Sequence, residues 1–381
     1  MNATSAVLQA DPADEHAPVA TLSPRQSRRR RALQAVVSIS LAGSFLVFVL
    51  PRLIGTTGHD VIGVLDSISL RQLGVLTLIW AGGLLVHSFV LTGSLRGLNR
   101  GRALTLNMTG SGVSNLLPFG GAVGMSLNYL MIRRWGMDAP AFAAFTVVSN
   151  VWVIMLKLLM PILAIVGLVT LGTGIGHSHT VGAIALASAG ALALFLTVLI
   201  ASLANRRAAV RAAAVIVPVV VRVARVLRRH PDPAELRDGV LATRDQVASV
   251  VRGRWPQLTI AMLGYSLLQA VLLYGCLRAV GAPLAPEVVL AAYAVDRVAT
   301  LAVMTPGASG FVEAGTVGVL VALGGAPAAM AAGVLLYRAF TFALEIPVGL
   351  IWLSLWAWLA RRHGPLVVPA EAVPTAELEA A

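Results

Sequence analysis

Six ionisable side chains interrupt long apolar runs in this chain: Lys157, Asp296, Arg297, Glu313, Arg338 and Glu345. Ionisable groups at that depth are expensive in hydrocarbon, so they mark either a polar pathway or a paired charge. Arg297 and Arg338 suit a phosphate, because a guanidinium fork matches its oxygens two at a time. Asp296, Glu313 and Glu345 could equally neutralise them as structural pairs, and at the level of sequence both readings stand. Lys157 is the only lysine among the 29 basic residues. Two further stretches set proline and glycine inside apolar sequence: "LLPFGGAVG", with Pro118, Gly120 and Gly121, and "MTPGASGFV", with Pro306, Gly307 and Gly310. A helix broken within a bilayer leaves unpaired N–H and C=O groups, and it survives only where protein or a water-filled cavity covers the break. Half-helices starting near Gly121 and Gly307 would turn their N-termini, each with about half a positive charge, toward the membrane centre, where an anionic headgroup is the natural guest. The plainer alternative is that these glycines only let helices pack closely.

Other chemistry finds no support. One cysteine, Cys276, offers neither an internal disulfide nor a metal site, and "HSH" at His177 to His179 has no third ligand beside it. No phosphate-binding loop of the ATPase kind occurs, and no cofactor or metal is expected.

The elements that must carry these residues follow from composition. Of 381 residues, 57% are hydrophobic and 12% charged, with a mean hydropathy of +0.82. This is the profile of an all-α polytopic membrane protein. The net charge of +12 sits in short arginine clusters beside apolar spans, as the positive-inside rule produces, so nucleic acid is not expected as a partner. Residues 1–32 read as a disordered cytoplasmic tail ending in "RQSRRRR", residues 33–360 as the transmembrane domain, and 361–381 as a cytoplasmic tail. Full spans are expected at 33–55, 73–95, 139–172, 180–204, 256–281 and 327–360. The connector 205–255 holds 11 arginines against 4 acidic residues and marks the cytoplasmic side. Ordinary single spans at 103–132 and 291–325 would put arginines on the wrong side. Hairpins that enter and leave on one face remove the conflict.

The halves also resemble one another. At an offset of 188, Pro118 falls on Pro306, Gly136 on Gly324, and Ala143 and Ala144 on Ala331 and Ala332. Repeat one spans about 73–172 and repeat two about 256–360, with hairpins on opposite faces, so the repeats are expected to be inverted. The same offset sets Asn150 on Arg338 and Lys157 on Glu345. Lys157 and Glu345 are therefore expected to form a salt bridge or to share a cavity with Arg338. The rival is that each finds a partner within its own half.

The P-x-G-G-x-x-G of the first half, "TPGASGFVEAG" and "LLYRAFTFALEIPVG" resemble the integral membrane domain of lysyl-phosphatidylglycerol synthases, the flippase domain of the MprF family, over roughly residues 33 to 360. Pro306, Gly310, Glu313, Tyr337, Arg338 and Pro347 fit that pattern, whereas Asn150 stands where the resemblance implies an arginine. The resemblance implies a stand-alone relative without the soluble synthase domain, moving an anionic or glycosylated lipid between leaflets of the cell membrane. Its partners would be a membrane phospholipid or glycolipid. Two alternatives are an embedded enzyme acting on a lipid-linked substrate, with Glu313 and Asp296 as its carboxylates, and a membrane partner of a separate lipid-synthesising enzyme docked on 205–255. Oligomeric state is left open.

Overall fold

A computed structural model describes Gly63 and residues 68–116, 120–170, 179–226, 232–301 and 310–362. All regular structure among them is helical: α1 (Leu70–Ser94), α2 (Arg100–Leu116), α3 (Gly120–Arg134), α4 (Ala139–Thr170), α5 (His179–Ala204), α6 (Arg206–Val226), α7 (Pro233–Ala279), α8 (Pro286–Ala299), α9 (Phe311–Ala322), α10 (Pro327–Arg338), a π turn (Ala339–Ala343) and α11 (Glu345–Arg362). The expected span 33–55, the tails up to 32 and from 363, and Pro118, Pro306 and Gly307 lie outside the described residues.

Helix starts follow from local chemistry. Ser69 and Gln72 close a capping box on α1, Asn99 Oδ1 accepts the Arg102 N–H at 2.8 Å, and Asp138 Oδ1 accepts the Ala141 N–H at 2.8 Å. Proline occupies the first position of α7, α8 and α10, where its missing N–H costs nothing.

Four segments are long and apolar enough to cross a bilayer: Leu70–Ser94, Ala139–Thr170, Pro233–Ala279 and Pro327–Ala360. Their faces show what surrounds them. On α4, Val148, Trp152, Leu156, Met160 and Ala164 form a buried stripe, while Val147, Leu163, Val166 and Val169 are exposed and equally apolar. A helix apolar on both its inner and its outer face belongs in lipid. The protein is therefore a multi-pass membrane protein.

Two expected spans differ in shape. The span expected at 256–281 is the second part of α7, which runs 47 residues. At about 1.5 Å per residue that is about 70 Å, more than twice a hydrocarbon core of about 30 Å. Half of α7 therefore projects beyond the bilayer, and the described part of the connector 205–255 is helical in α6 and the start of α7. The span expected at 327–360 is interrupted by the π turn, where Leu344 N–H reaches back five residues to Ala339 C=O at 2.7 Å. Pro347 lies just beyond. It supplies no N–H and crowds the carbonyl four residues earlier, and the widened turn relieves both constraints.

The offset of 188 reappears in three dimensions. The C-terminus of α3 closes with Trp135 N–H to Met131 C=O, Gly136 N–H to Arg133 C=O and Met137 N–H to Ile132 C=O. The C-terminus of α9 closes with the same three bonds shifted by 188: Leu323 to Val319, Gly324 to Val321 and Gly325 to Leu320. Gly136 and Gly324 both have positive φ, 82° and 101°, which only glycine adopts without strain. Ala139 and Pro327, the first residues of α4 and α10, are separated by the same 188.

Packing between the halves is reciprocal. Helix α2 of the first half lies on α11 of the second, α8 of the second lies on α4 of the first, and α1 packs against α7 between them. At the first of these contacts a Cβ added to Gly112 would come within 2.7 Å of the Gly349 Cα, so the two backbones touch.

Candidate functional site: a neutral polar cavity and a buried ion pair

In the first half, α2 and α3 form a close antiparallel pair. A Cβ at Gly110 would meet Asn128 Nδ2 at 3.0 Å, one at Gly120 would strike the Ser114 backbone, and one at Gly124 would strike Ser114 Oγ. Thr109 Oγ1 lies 3.5 Å from Met131 Sδ further along. Partners on α2 rise in number as those on α3 fall, so Arg100 and Arg134 share one end of the pair. Gly120 is thus a packing glycine. Gly121 is different: nothing lies within 4 Å of where its Cβ would be, and it borders a cavity.

That cavity, about 310 Å³, lies between the α2–α3 pair, α1 and α4. Its polar lining comes from His87, Asn107, Ser111, Ser114, Asn115 and Asn128, joined by Thr146, Ser149 and Asn150 of α4. Among the described residues, no Lys, Arg, Asp or Glu lines it. His87 Nδ1 lies 3.0 Å from Asn107 Oδ1, and its ring lies 4.7 Å from that of Tyr265, so the imidazole is held in place. Asn150 Nδ2 donates to Thr146 C=O at 2.8 Å. Two polar atoms, Asn128 Oδ1 and Thr146 Oγ1, are buried and without a hydrogen-bond partner. On the rim, Gly121, Met125 and Asn150 are exposed, so the cavity opens at the flank of the helix bundle.

In the second half Arg338 and Arg297 are each paired with a carboxylate. Arg338 Nε donates to Glu313 Oε1 at 2.6 Å, with the side chains 9% and 1% exposed. The other carboxylate oxygen of Glu313 accepts the Gly310 N–H at 2.6 Å. Gly310 sits at φ 93° as the N-cap of α9, which starts at Phe311; Gly307, where the sequence suggested the half-helix begins, lies outside the described residues. The carboxylate three residues on and the glycine conformation fix this start. The guanidinium also lies over the Phe342 ring, 5.3 Å from its centroid. Arg297 Nε donates to the neighbouring Asp296 Oδ2 at 2.8 Å and lies 5.1 Å over the Tyr293 ring.

The expected Lys157–Glu345 salt bridge is not formed among the described residues. Lys157 lies within electrostatic range of Arg297 and Asp296 on α8. Glu345 accepts from Asn115 Nδ2 at 3.2 Å, with Ser111 also beside it on α2. The reason is the reciprocal packing. Equivalent residues occupy equivalent contacts, α4 on α8 and α11 on α2, and so they lie at different places.

The offset joins the two clusters. Glu313 and Arg338 correspond to Met125 and Asn150, both of which line the first-half cavity. One half fills the position with an ion pair, and the other leaves an open neutral pocket. Of the residues singled out from sequence, Gly310, Glu313 and Arg338 come together, Arg297 pairs separately, and Gly121 borders the cavity. The neutral lining was missed. Its signal was present in "LNMTGSGVSN", where Asn107, Ser111, Ser114 and Asn115 recur at helical spacing along one face.

A family model described as the lysylphosphatidylglycerol synthase TM region matches residues 32–349. The chain belongs to that family. It is accordingly a membrane protein associated with lipid modification or transport. No curated protein and no solved structure matched the chain significantly.

Proposed function

We propose that the protein moves lipid between the two leaflets of the membrane. The observation that carries this reading is the polar cavity within apolar helices, opening at the flank of the bundle. A lipid headgroup entering there leaves water-like partners for hydrogen-bonding ones, while its acyl chains stay in the bilayer. The repeated C-caps and the reciprocal packing support two inverted repeats about an axis in the membrane plane, each with a hairpin that enters and leaves on one face. The arginines at the end of the pair where α2 begins and α3 finishes support a cytoplasmic location for that end. The arginine clusters support one side for the N-terminus, 205–255 and the C-terminus, the cytoplasmic one. In this scheme the Arg338–Glu313 pair closes the second half while the first is open, and exchange of these states carries the headgroup across. The embedded-enzyme alternative loses ground because Asp296 and Glu313, its carboxylates, are each bound to an arginine.

Reconstitution tests this reading. Proteoliposomes holding a lipid with a fluorescent acyl chain, treated with an impermeant quencher, should lose inner-leaflet fluorescence far faster than protein-free vesicles. Equal rates in intact vesicles would refute lipid movement, and a new lipid species in extracts would establish an enzyme instead.

A further inference from the structure

Resting on the lipid-transport reading, we infer that the first-half cavity takes a neutral, hydroxyl-rich headgroup of the glycosyl class, and that an anionic phosphate-terminated headgroup is disfavoured there. Three observations carry this. The polar lining is built of amides, hydroxyls and one imidazole, with no Lys or Arg among the described residues to meet an anion. Asn128 Oδ1 and Thr146 Oγ1, buried and unpartnered, are an acceptor and a hydroxyl of the kind a sugar hydroxyl satisfies by donating and accepting at once. On the α2 side the cavity adjoins a carboxyl group: Glu345 sits beside Ser111 and Asn115, both of which line the cavity.

Electrostatics decides between headgroups. A phosphate in the cavity would lose its hydration, meet no guanidinium or ammonium among the described lining residues, and lie near the Glu345 carboxyl group. The N-terminus of α3 beside Gly121 offers only a partial charge and N–H donors, and a hydroxyl oxygen accepts those as well as a phosphate oxygen does. Arginines that match a phosphate exist in the chain, but Arg338 and Arg297 are each held by a carboxylate in the other half. Position 150 sets the choice. Its counterpart in the second half is Arg338, and here it is an exposed asparagine whose amide reaches the rim.

The test uses the full chain, with two readouts and two probes: a diglucosyl diacylglycerol and a phosphatidylglycerol carrying the same fluorescent acyl chain. In vesicles the glycosyl lipid should exchange about tenfold faster, and Asn128→Ala with Asn150→Ala together should reduce its exchange about tenfold, the loss of roughly one to two hydrogen bonds. Asn150→Arg should turn the preference toward phosphatidylglycerol. In detergent the glycosyl lipid should raise the melting temperature more than phosphatidylglycerol does, and free glucose in excess should have no effect, which separates a lipid headgroup from a soluble sugar. If neither lipid exchanges but the glycosyl lipid still stabilises selectively, the transport reading fails and the headgroup assignment stands. Equal or faster exchange of phosphatidylglycerol by the unaltered chain, equal stabilisation by both lipids, or indifference of glycosyl-lipid exchange to the double substitution overturns the assignment.

Discussion

Replacing Arg338 by Ala leaves Glu313 charged and buried without its counter-ion. The pair is short, at 2.6 Å, and the two side chains are 9% and 1% exposed, so solvent does little to compensate. Breaking one partner of such a pair costs about 3–5 kcal/mol, mostly the uncompensated charge left behind. Glu313→Ala should cost a comparable amount and additionally release the Gly310 N–H that Glu313 Oε2 accepts, about 0.5–2 kcal/mol for a lost N-terminal cap. Removing both charges, as Arg338→Met with Glu313→Gln, should restore much of the loss, because no buried charge remains. Unfolding by an anionic detergent in mixed micelles, followed for wild type, both single variants and the double, gives the coupling energy. We expect about 2 kcal/mol or more. Additive single losses, with coupling near zero, would refute the claim that these residues stabilise each other.

Other outcomes follow from the same geometry. Gly124→Val should wedge α3 away from α2 and cost about 1–3 kcal/mol in the same unfolding assay, whereas Gly121→Ala, with nothing within 4 Å, should change stability by less than about 0.5 kcal/mol. Gly136→Ala and Gly324→Ala, both at positive φ, should each destabilise by about 1 kcal/mol, and a large inequality would count against equivalent turns in the two halves. Exchanging the charges at Lys157 and Glu345 should rescue neither single loss, since Glu345 is held by Asn115 and Lys157 lies by α8; rescue would restore the direct pair.

Much of this architecture was legible in the sequence because lipid imposes few solutions. Apolar length gave the spans on α1 and α4 to within a few residues, and Gly136 with Gly324 marked two matching helix ends, since a helix C-terminus at positive φ needs glycine. Charged residues in apolar runs pointed to Arg338 and Glu313 as a functional or paired cluster. What was not legible depends on which face meets which helix. The Lys157–Glu345 pairing treated equal depth as proximity, but the reciprocal packing of α2 on α11 and α8 on α4 separates them. The π turn came from backbone strain ahead of Pro347 that hydropathy does not register. The neutral cavity was overlooked because asparagine, serine and threonine in a membrane helix are common as packing residues. Only the convergence of α1, α2, α3 and α4 makes them a site.

The central claim is that a lipid headgroup enters the first-half cavity, and photocrosslinking reads this directly. A lipid with a photoreactive group next to its headgroup, incorporated with the protein in bilayers and mapped by mass spectrometry, should label the cavity segments around Asn128, Thr146 and Asn150. Asn150→Trp, which fills the rim, should abolish that labelling. Labels spread evenly over the lipid-facing surfaces of α4 and α7, unchanged by Asn150→Trp, would contradict it.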